Sequence, residues 1–280
     1  MYNIDITKRV GDDMEVIKAE TIENINLENL ELLSEQGSEF TVYNDNDKVY
    51  KIFKPNYKLD HKNNYELIYL SSIKTSRILM PKSLITKNGK LIGYSMEYIK
   101  NSSNVLNDKM KNFINELIAI TKDIELLSKL NVRIIDINKN NVVYNGRLYL
   151  IDPGNYYINY IDDLLVYLDC KEPNKKELTE QEKKNIIKLW NYNKFNRLIE
   201  ELLFMGDEKL DFYLLRKVIE FFKKEKQDNN LISDIKILQK YFDSELSVKE
   251  SINKFVKEYI KIDDNERKLI ISLYKKRNRI

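Results

Sequence analysis

Three oxygen-bearing side chains frame one predicted hairpin, namely Asp136, Asn141 and Asp152. Between the last two, the apolar runs 142–144 and 148–151 flank Asn145-Gly146. This pair favours a two-residue turn of type I′, whose central residues both need positive φ. Such a hairpin would bring the three side chains together. Converging carboxylate and amide oxygens suit a Mg²⁺ ion that carries a nucleotide triphosphate, because this ion prefers hard oxygen ligands and phosphate.

The composition bounds the classes of protein to consider. In 280 residues, no run approaches the roughly eighteen apolar residues of a membrane span, and the N-terminus lacks the apolar core of a signal peptide, so we expect a cytoplasmic protein without a span. The single cysteine, Cys170, and the single histidine, His61, exclude an internal disulfide and a Cys/His zinc site. The net charge of +3 does not favour nucleic acid as a partner.

The first hundred residues are dominated by short β-prone runs. Four of them predict strands, at 39–43, 48–53, 84–86 and 91–98. Asn88-Gly89 predicts a hairpin turn between the last two. Apolar residues at helical spacing predict a helix within 60–74, which Pro81 prevents from continuing. We predict the order strand, strand, strand, helix, strand, strand in this part of the chain, with no bounds assigned to one of the strands before the helix.

The rest of the chain is predominantly helical. Apolar residues from Met110 to Leu130 follow helical spacing over more than five turns, so one face of a long helix must be buried. Capping boxes begin at Thr179 and Ser247, and Gly206 is a plausible helix stop. We predict further helices near 180–204, 208–226, 230–243, 247–260 and 264–278. The fold class is therefore α+β, with a β-rich part before a larger helical part and a cleft for a nucleotide between them.

Lys51 lies within the apolar strand-forming run Val49 to Phe53. An ammonium group in such surroundings is costly without partners, and a phosphate together with a carboxylate would supply them. Lys54 is a rival for this role, but Pro55 follows it and both lysines cannot point inward, so we favour Lys51. The alternative is that Lys51 is an exposed lysine of the strand, as strand lysines usually are.

An ordered set of residues between 37 and about 154 resembles the protein-kinase-like superfamily: Gly37, Lys51, Glu66, Met96, Asp136, Asn141 and Asp152. The resemblance implies a bilobal fold with a small β-rich lobe and a larger helical lobe. In this arrangement residues 1–99 form the first lobe, 100–204 the catalytic core of the second lobe, and 205–280 its helical C-terminal part or an extension.

The resemblance also implies roles for the residues that would bind ATP. Gly37 and Ser38 belong to a shortened glycine-rich loop over the phosphates, with one glycine where kinases usually have three. Lys51 would hold the α- and β-phosphates, and Glu66, on an apolar helix, would fix that lysine. Met96 would guard the back of the pocket. The following Glu97 and Tyr98 would connect the lobes, and their backbone would bind the adenine edge.

The catalytic roles fall on the hairpin in the same way. By resemblance, Asp136 would orient or deprotonate the acceptor hydroxyl, while Asn141 and Asp152 would hold Mg²⁺, or Mn²⁺ in its place. Lys139 would reach the γ-phosphate. The alternative for Asp136 and Asn141 is a loop-capping role, which both residue types often have.

Several positions depart from the regulatory protein kinases. Ile134-Ile135 stand where His-Arg usually precede the catalytic aspartate, so control by phosphorylation of an activation loop is not expected. Asn138 replaces a lysine, and Pro153 replaces the phenylalanine of the metal-binding motif. No Ala-Pro-Glu motif follows Gly154. These departures resemble atypical bacterial kinases and small-molecule kinases.

The sequence therefore predicts an ATP- and Mg²⁺-dependent phosphotransferase that moves the γ-phosphoryl group to a hydroxyl of a protein or a small molecule. Two alternatives stay open. One is a pseudokinase or nucleotide-binding scaffold whose C-terminal helices bind a protein partner. The other is an enzyme of the same fold that transfers AMP. We interpret the single tryptophan, Trp190, as a core residue of an amphipathic helix.

Overall fold

The computed structural model describes residues 19–21, 25, 27–35, 39–55, 64–88, 90–100, 104–153, 156–158, 178–204, 212–225 and 231–277. Seven residues named above lie outside these ranges: Gly37, Ser38, His61, Gly89, Gly154, Cys170 and Gly206.

The strands are, in chain order, β1 (Ala19–Thr21), β2 (Glu31–Ser34), β3 (Phe40–Asp45), β4 (Lys48–Phe53), β5 (Ser83–Lys87), β6 (Lys90–Glu97), β7 (Val132–Arg133), β8 (Val142–Tyr144), β9 (Leu148–Leu150) and β10 (Tyr157–Ile158). The first six form one sheet in the order β1-β5-β6-β4-β3-β2. Its pairings are antiparallel apart from β1, which runs parallel to β5 at one edge. Strand β4, which carries Lys51, therefore lies inside the sheet between β3 and β6.

The helices are α1 (Asn64–Ser72), α2 (Met110–Lys129), α3 (Glu180–Phe204), α4 (Phe212–Glu225), α5 (Leu231–Tyr241), α6 (Val248–Tyr259) and α7 (Asp264–Arg277). Helix α2 contributes a continuous buried face from Met110 to Leu127 to the larger hydrophobic core. Within the described ranges, no helix is both long enough and apolar enough to cross a membrane.

The α+β class and the positions of the helices are confirmed. Both capping boxes form: the Glu182 and Thr179 groups exchange hydrogen bonds, and so do those of Ser247 and Glu250. The predicted number of strands before α1 is wrong, because four precede it within the described residues. Strand β1 has only three residues, which is too short to show a period of two in the sequence.

The predicted type I′ turn at Asn145-Gly146 is also wrong. Tyr144 pairs with Leu148, so three residues connect the strands. Gly146 has a φ of 93°, whereas Asn145 is not among the described residues with positive φ. The side-chain oxygen of Asn145 accepts a hydrogen bond from the Arg147 N–H at 3.3 Å, which stabilises the wider loop. The hairpin itself forms as predicted.

The connection between α1 and β5 is bonded to the helical part of the molecule. Buried Asp123 of α2 accepts hydrogen bonds from the backbone N–H groups of Ser76, Arg77 and Ile78, at 2.9, 2.6 and 3.1 Å. The Arg77 guanidinium forms two hydrogen bonds with Glu116, also on α2, at 2.6 and 3.1 Å. Glu116 therefore raises the pKa of Arg77.

Strand β9 is bonded to the same connection. The Leu150 N–H donates to the Arg77 carbonyl at 2.8 Å, and the Leu79 N–H donates to the Leu150 carbonyl at 2.9 Å. We call residues 75–79, with their bonds to α2 and β9, the junction. Helix α1 contributes to both hydrophobic cores, because Leu67 belongs to the core of the sheet and Leu70 to the larger helical core.

Candidate active site

The hairpin β8–β9 places Asn141 beside Asp152. Val142 pairs with Leu150, and one residue farther out the Ile151 N–H donates to the Asn141 carbonyl at 2.9 Å. Asp152 follows immediately. The backbone of Asp152 has a φ of 68°, a left-handed conformation that is uncommon for residues other than glycine and that often marks functional sites.

Asp136 is held by two side-chain amides from its own loop. Asn138 Nδ2 donates to Asp136 Oδ1 at 2.6 Å, and Asn141 Nδ2 donates to Asp136 Oδ2 at 3.2 Å. Asn141 Nδ2 also donates to the Asp136 carbonyl at 3.0 Å. Each carboxylate oxygen thus accepts one hydrogen bond, which fixes the orientation of the group. Asn138 thus takes part in orienting Asp136.

Lys51 meets Asp152 across the boundary between the sheet and the hairpin. Its Nζ lies 2.6 Å from Asp152 Oδ1, and Lys51 is only 7% exposed. The hydroxyl of Tyr94 donates to the same oxygen at 3.4 Å, and Lys51 Nζ lies 5.4 Å from the centre of the Phe40 ring. The negative charge that compensates the buried Lys51 ammonium therefore comes from Asp152, which lies 101 positions later in the chain.

Two other residues were considered beside Lys51, namely Glu66 and Lys54. Glu66 lies half-buried on α1, and its Oε2 is shielded from solvent. Lys54 Nζ donates to the Glu35 carbonyl at 2.5 Å, so the rival lysine is directed to another part of the sheet. The ion pair between Lys51 and Asp152 is a contact that the sequence analysis did not predict.

The strand end proposed to bind adenine is only partly suited to it. Met96 is buried opposite Val49, whereas Glu97 is exposed and forms an ion pair with Lys82 at 3.0 Å. The Tyr98 N–H already donates to the Asp47 carbonyl at 2.9 Å. Recognition of adenine in this segment would therefore have to use other backbone groups.

Lys139 is exposed in a short 3₁₀ turn that ends at Asn141. Its backbone N–H donates to Glu201 Oε2 of α3 at 3.1 Å. The start of the turn is capped by Asn138, whose Oδ1 accepts from the Asn140 N–H at 2.9 Å. The loop that carries Asp136, Lys139 and Asn141 is thus fixed by its own caps and by α3.

Two neighbouring residues of α3 hold the segment before Asp136. The Ile134 N–H donates to Asn191 Oδ1 at 2.8 Å, and the Trp190 indole N–H donates to the Ile134 carbonyl at 2.7 Å. Asn191 is fully buried and also donates to the Val132 carbonyl and to Ser128 Oγ, both at 2.9 Å. Sequence reasoning missed this function of Asn191, although an amide on an otherwise apolar helix face was a usable signal.

Tyr156 adds a buried hydroxyl near both carboxylates. Burial, and then the charges of Asp152 and Asp136, raise the pKa of Tyr156 far above its ordinary value. The phenol therefore stays protonated. Its backbone N–H donates to the Pro153 carbonyl at 3.0 Å, which keeps the residue close to the end of the hairpin.

The oxygen atoms at the end of the hairpin fit a Mg²⁺ site of low protein coordination. Asn141 Nδ2 donates a hydrogen bond to Asp136, so Asn141 Oδ1 points away from that carboxylate. Asp152 Oδ1 is paired with Lys51 Nζ and accepts a hydrogen bond from the Tyr94 hydroxyl. No group of three or more His, Cys, Asp or Glu side chains that could hold a metal occurs in the part of the chain that the structure describes. One amide and one carboxylate are typical of Mg²⁺ bound mainly through phosphate and water.

The position of Lys51 depends on a glycine in the neighbouring strand. Gly93 of β6 pairs with Ile52, and a Cβ built on it would overlap the Lys51 carbonyl well inside van der Waals contact. We expect Gly93→Ala to lower the free energy of unfolding by about 1–3 kcal/mol, because β4 must shift. Nucleotide binding should weaken with it.

Urea unfolding and titration with Mg·ATP would measure both effects. Gly146→Ala is the control, since a Cβ there meets nothing within 4 Å although its φ of +93° makes the substitution strained. That variant should lose about 1 kcal/mol and bind nucleotide as the wild type does. If the two variants have the same free energy of unfolding and the same affinity for Mg·ATP, Gly93 does not position Lys51.

No protein-family model matches this chain, and no curated protein matches it significantly.

Proposed function

We propose that the chain is an ATP- and Mg²⁺-dependent phosphotransferase with a bilobal, protein-kinase-like arrangement. The observation that carries the proposal is the buried ion pair between Lys51, from the middle of the sheet, and Asp152, from the end of the hairpin. Asp136 and Asn141 are hydrogen-bonded to each other at that same end. A lysine, a metal-binding aspartate, an asparagine and a fixed second carboxylate are the groups that phosphoryl transfer requires.

In the proposed reaction, Lys51 neutralises the α- and β-phosphates of ATP. Asn141 and Asp152 hold Mg²⁺, which supplies charge neutralisation to the phosphates when it is bound. Asp136, oriented by Asn138 and Asn141, accepts the proton of the acceptor hydroxyl. The hydroxyl oxygen forms a bond to the γ-phosphorus, the bond from that phosphorus to the bridging oxygen breaks, and ADP leaves. Positioning and electrostatics carry most of such catalysis.

The division of the chain follows from this proposal. Residues 1–99 would form the lobe that covers the nucleotide, and residues 100–204 the lobe that holds the metal and the acceptor. Residues 205–280 would complete the second lobe and offer helix surfaces to a protein partner. The acceptor is a hydroxyl of a protein or of a small molecule.

The test compares Lys51→Met with Lys54→Met, two changes of the same residue type three positions apart. Purified proteins are incubated with Mg²⁺ and either α- or γ-labelled ATP, and labelled protein, phosphate and small products are separated. We expect label from γ-ATP alone. Lys51→Met should lower its rate at least about 100-fold, as expected for the loss of one electrostatic contact to the transition state, whereas Lys54→Met should retain wild-type activity.

The other outcomes separate the alternatives. Label from α-ATP would mean that the enzyme transfers AMP. Binding of Mg·ATP without transfer of either label would favour a pseudokinase. Equal loss in both lysine variants would contradict the role assigned to Lys51.

A further inference from the structure

Four residues of α3 form one stripe that lies along the loop of Asp136: Trp190, Lys194, Arg197 and Glu201. Their spacing of four, three and four residues places them on one helix face. The two ends of the stripe are fixed by hydrogen bonds to this loop, because Trp190 donates to the Ile134 carbonyl at 2.7 Å and Glu201 accepts from the Lys139 N–H at 3.1 Å. Lys194 and Arg197 therefore lie over the stretch between Ile134 and Lys139, which contains Asp136.

Cationic groups are concentrated on this stripe. Lys194 Nζ lies 4.8 Å from the centre of the Trp190 ring, and the guanidinium carbon of Arg133 lies 4.7 Å from the same centre. Arg197 Nε lies 3.4 Å from Glu201 Oε1, and the Arg197 side chain is 73% exposed. Two cations thus lie against one indole ring, and Arg197 lies two helix turns farther along the stripe, beside the loop whose carboxylate would receive the acceptor proton.

The electrostatics of Lys194 agree with this geometry. Burial, and then the charge of Arg197, lower the pKa of Lys194, with a smaller contribution from Arg133 in the same direction. Asp136 and Glu201 act in the opposite direction. Cations that repel one another next to a partly buried lysine are stabilised when an anion binds among them.

We propose that Lys194 and Arg197 bind an anionic group, a phosphate or a carboxylate, that the acceptor carries near its reactive hydroxyl. This inference rests on the proposed function, since it assigns the class of acceptor for that reaction. An arginine and a lysine one helix turn apart can contact several oxygens of one such group. The acceptor is then a compound or a peptide segment with a negative charge beside the hydroxyl, and neutral hydroxyl compounds are poor substrates.

Trp190 makes the site directly observable because it is the only tryptophan of the chain. Inorganic phosphate and acetate are titrated separately against the protein at constant ionic strength, adjusted with sodium chloride, and the fluorescence of Trp190 is followed. We expect a saturable change with phosphate, acetate or both. Lys194→Gln and Arg197→Gln should each weaken the binding about tenfold or more, as expected for the loss of a charge-assisted contact.

Lys188→Gln is the matched control. Lys188 lies on the same helix and also over an aromatic ring, 5.2 Å from the centre of Tyr192, but outside the stripe. It should bind the anions as the wild type does. No saturable change in the wild type, or the same dissociation constant in the Lys194 and Arg197 variants as in the wild type, would overturn the proposal.

Lys51→Met separates this test from that of the proposed function. If phosphate binding persists in Lys51→Met and depends on Lys194, the anion is bound at the stripe. If Lys51→Met abolishes it, phosphate was bound at the nucleotide-binding groups and the inference fails. If the wild type binds phosphate through Lys194 but transfers no label from ATP, the proposed reaction fails while the anion site itself remains.

Discussion

Asp152→Asn is expected to lower the rate of γ-phosphoryl transfer by about 10³-fold, the upper range for removing one electrostatic group from a transition state. The change removes the negative charge that faces Lys51 at 2.6 Å and that would hold Mg²⁺. Asparagine is the right replacement because the backbone at this position has a φ of 68°. Asparagine tolerates left-handed conformations as aspartate does, so the local backbone should be retained.

Rates are measured with γ-labelled ATP over a range of Mg²⁺ concentrations, together with circular dichroism to check the fold. The Mg²⁺ concentration for half-maximal activity should rise, since one of two protein ligands loses its charge. Asp47→Asn is the control, because Asp47 is exposed in the turn between β3 and β4. Activity of Asp152→Asn within tenfold of the wild type would contradict the metal-binding role.

Asn191→Leu is expected to lower the free energy of unfolding by about 3–4 kcal/mol, mainly through buried polar groups left without partners. Leucine has a similar volume, so the packing of α3 is kept while three hydrogen bonds are lost. The Ile134 N–H and the Val132 carbonyl would lose their side-chain partner in a fully buried position. Because Ile134 lies two residues before Asp136, phosphoryl transfer should fall as well.

Urea denaturation measures the stability, and steady-state rates with γ-labelled ATP measure the second effect. Asn193→Leu makes the same change on the exposed side of the helix, and it should alter the stability by less than about 0.5 kcal/mol. A loss below 1 kcal/mol for Asn191→Leu would mean that the segment before Asp136 is held by other contacts. Normal activity at reduced stability would mean that Asn191 does not position Asp136.

Local patterns predicted the elements that carry the site. The apolar spacing of α2 and the capping boxes of α3 and α6 are periodic or near-neighbour signals, and they depend little on the rest of the fold. The hairpin β8–β9 was predicted in the same way, and with it the approach of Asn141 to the residue before Asp152. The type of its turn was wrong because the length of the loop, and not the Asn-Gly pair alone, selects the backbone conformation.

Contacts between distant segments could not be predicted in this way. The pairing of Lys51 with Asp152 joins residues 101 positions apart, and the bonds from Asn191 and Trp190 to Ile134 join residues more than fifty positions apart. No short-range signal specifies which partner a buried polar group will find. Strands β1 and β10 were missed for a related reason. Runs of three and two residues carry too little local signal, and they form strands because a neighbouring strand pairs with them.

The junction at residues 75–79 has a consequence for hydrogen exchange. The Leu150 and Leu79 amides are bonded to the junction and to β9 respectively, and the N–H groups of Ser76 to Ile78 are bonded to Asp123. Because the same short segment is bonded to both α2 and β9, we expect these amides to become exposed only when the junction parts from both. They should therefore exchange together, as one cooperative unit. The lysine-bearing sheet and the aspartate-bearing hairpin would then share a single opening event, so thermal fluctuations would rarely separate Lys51 from Asp152.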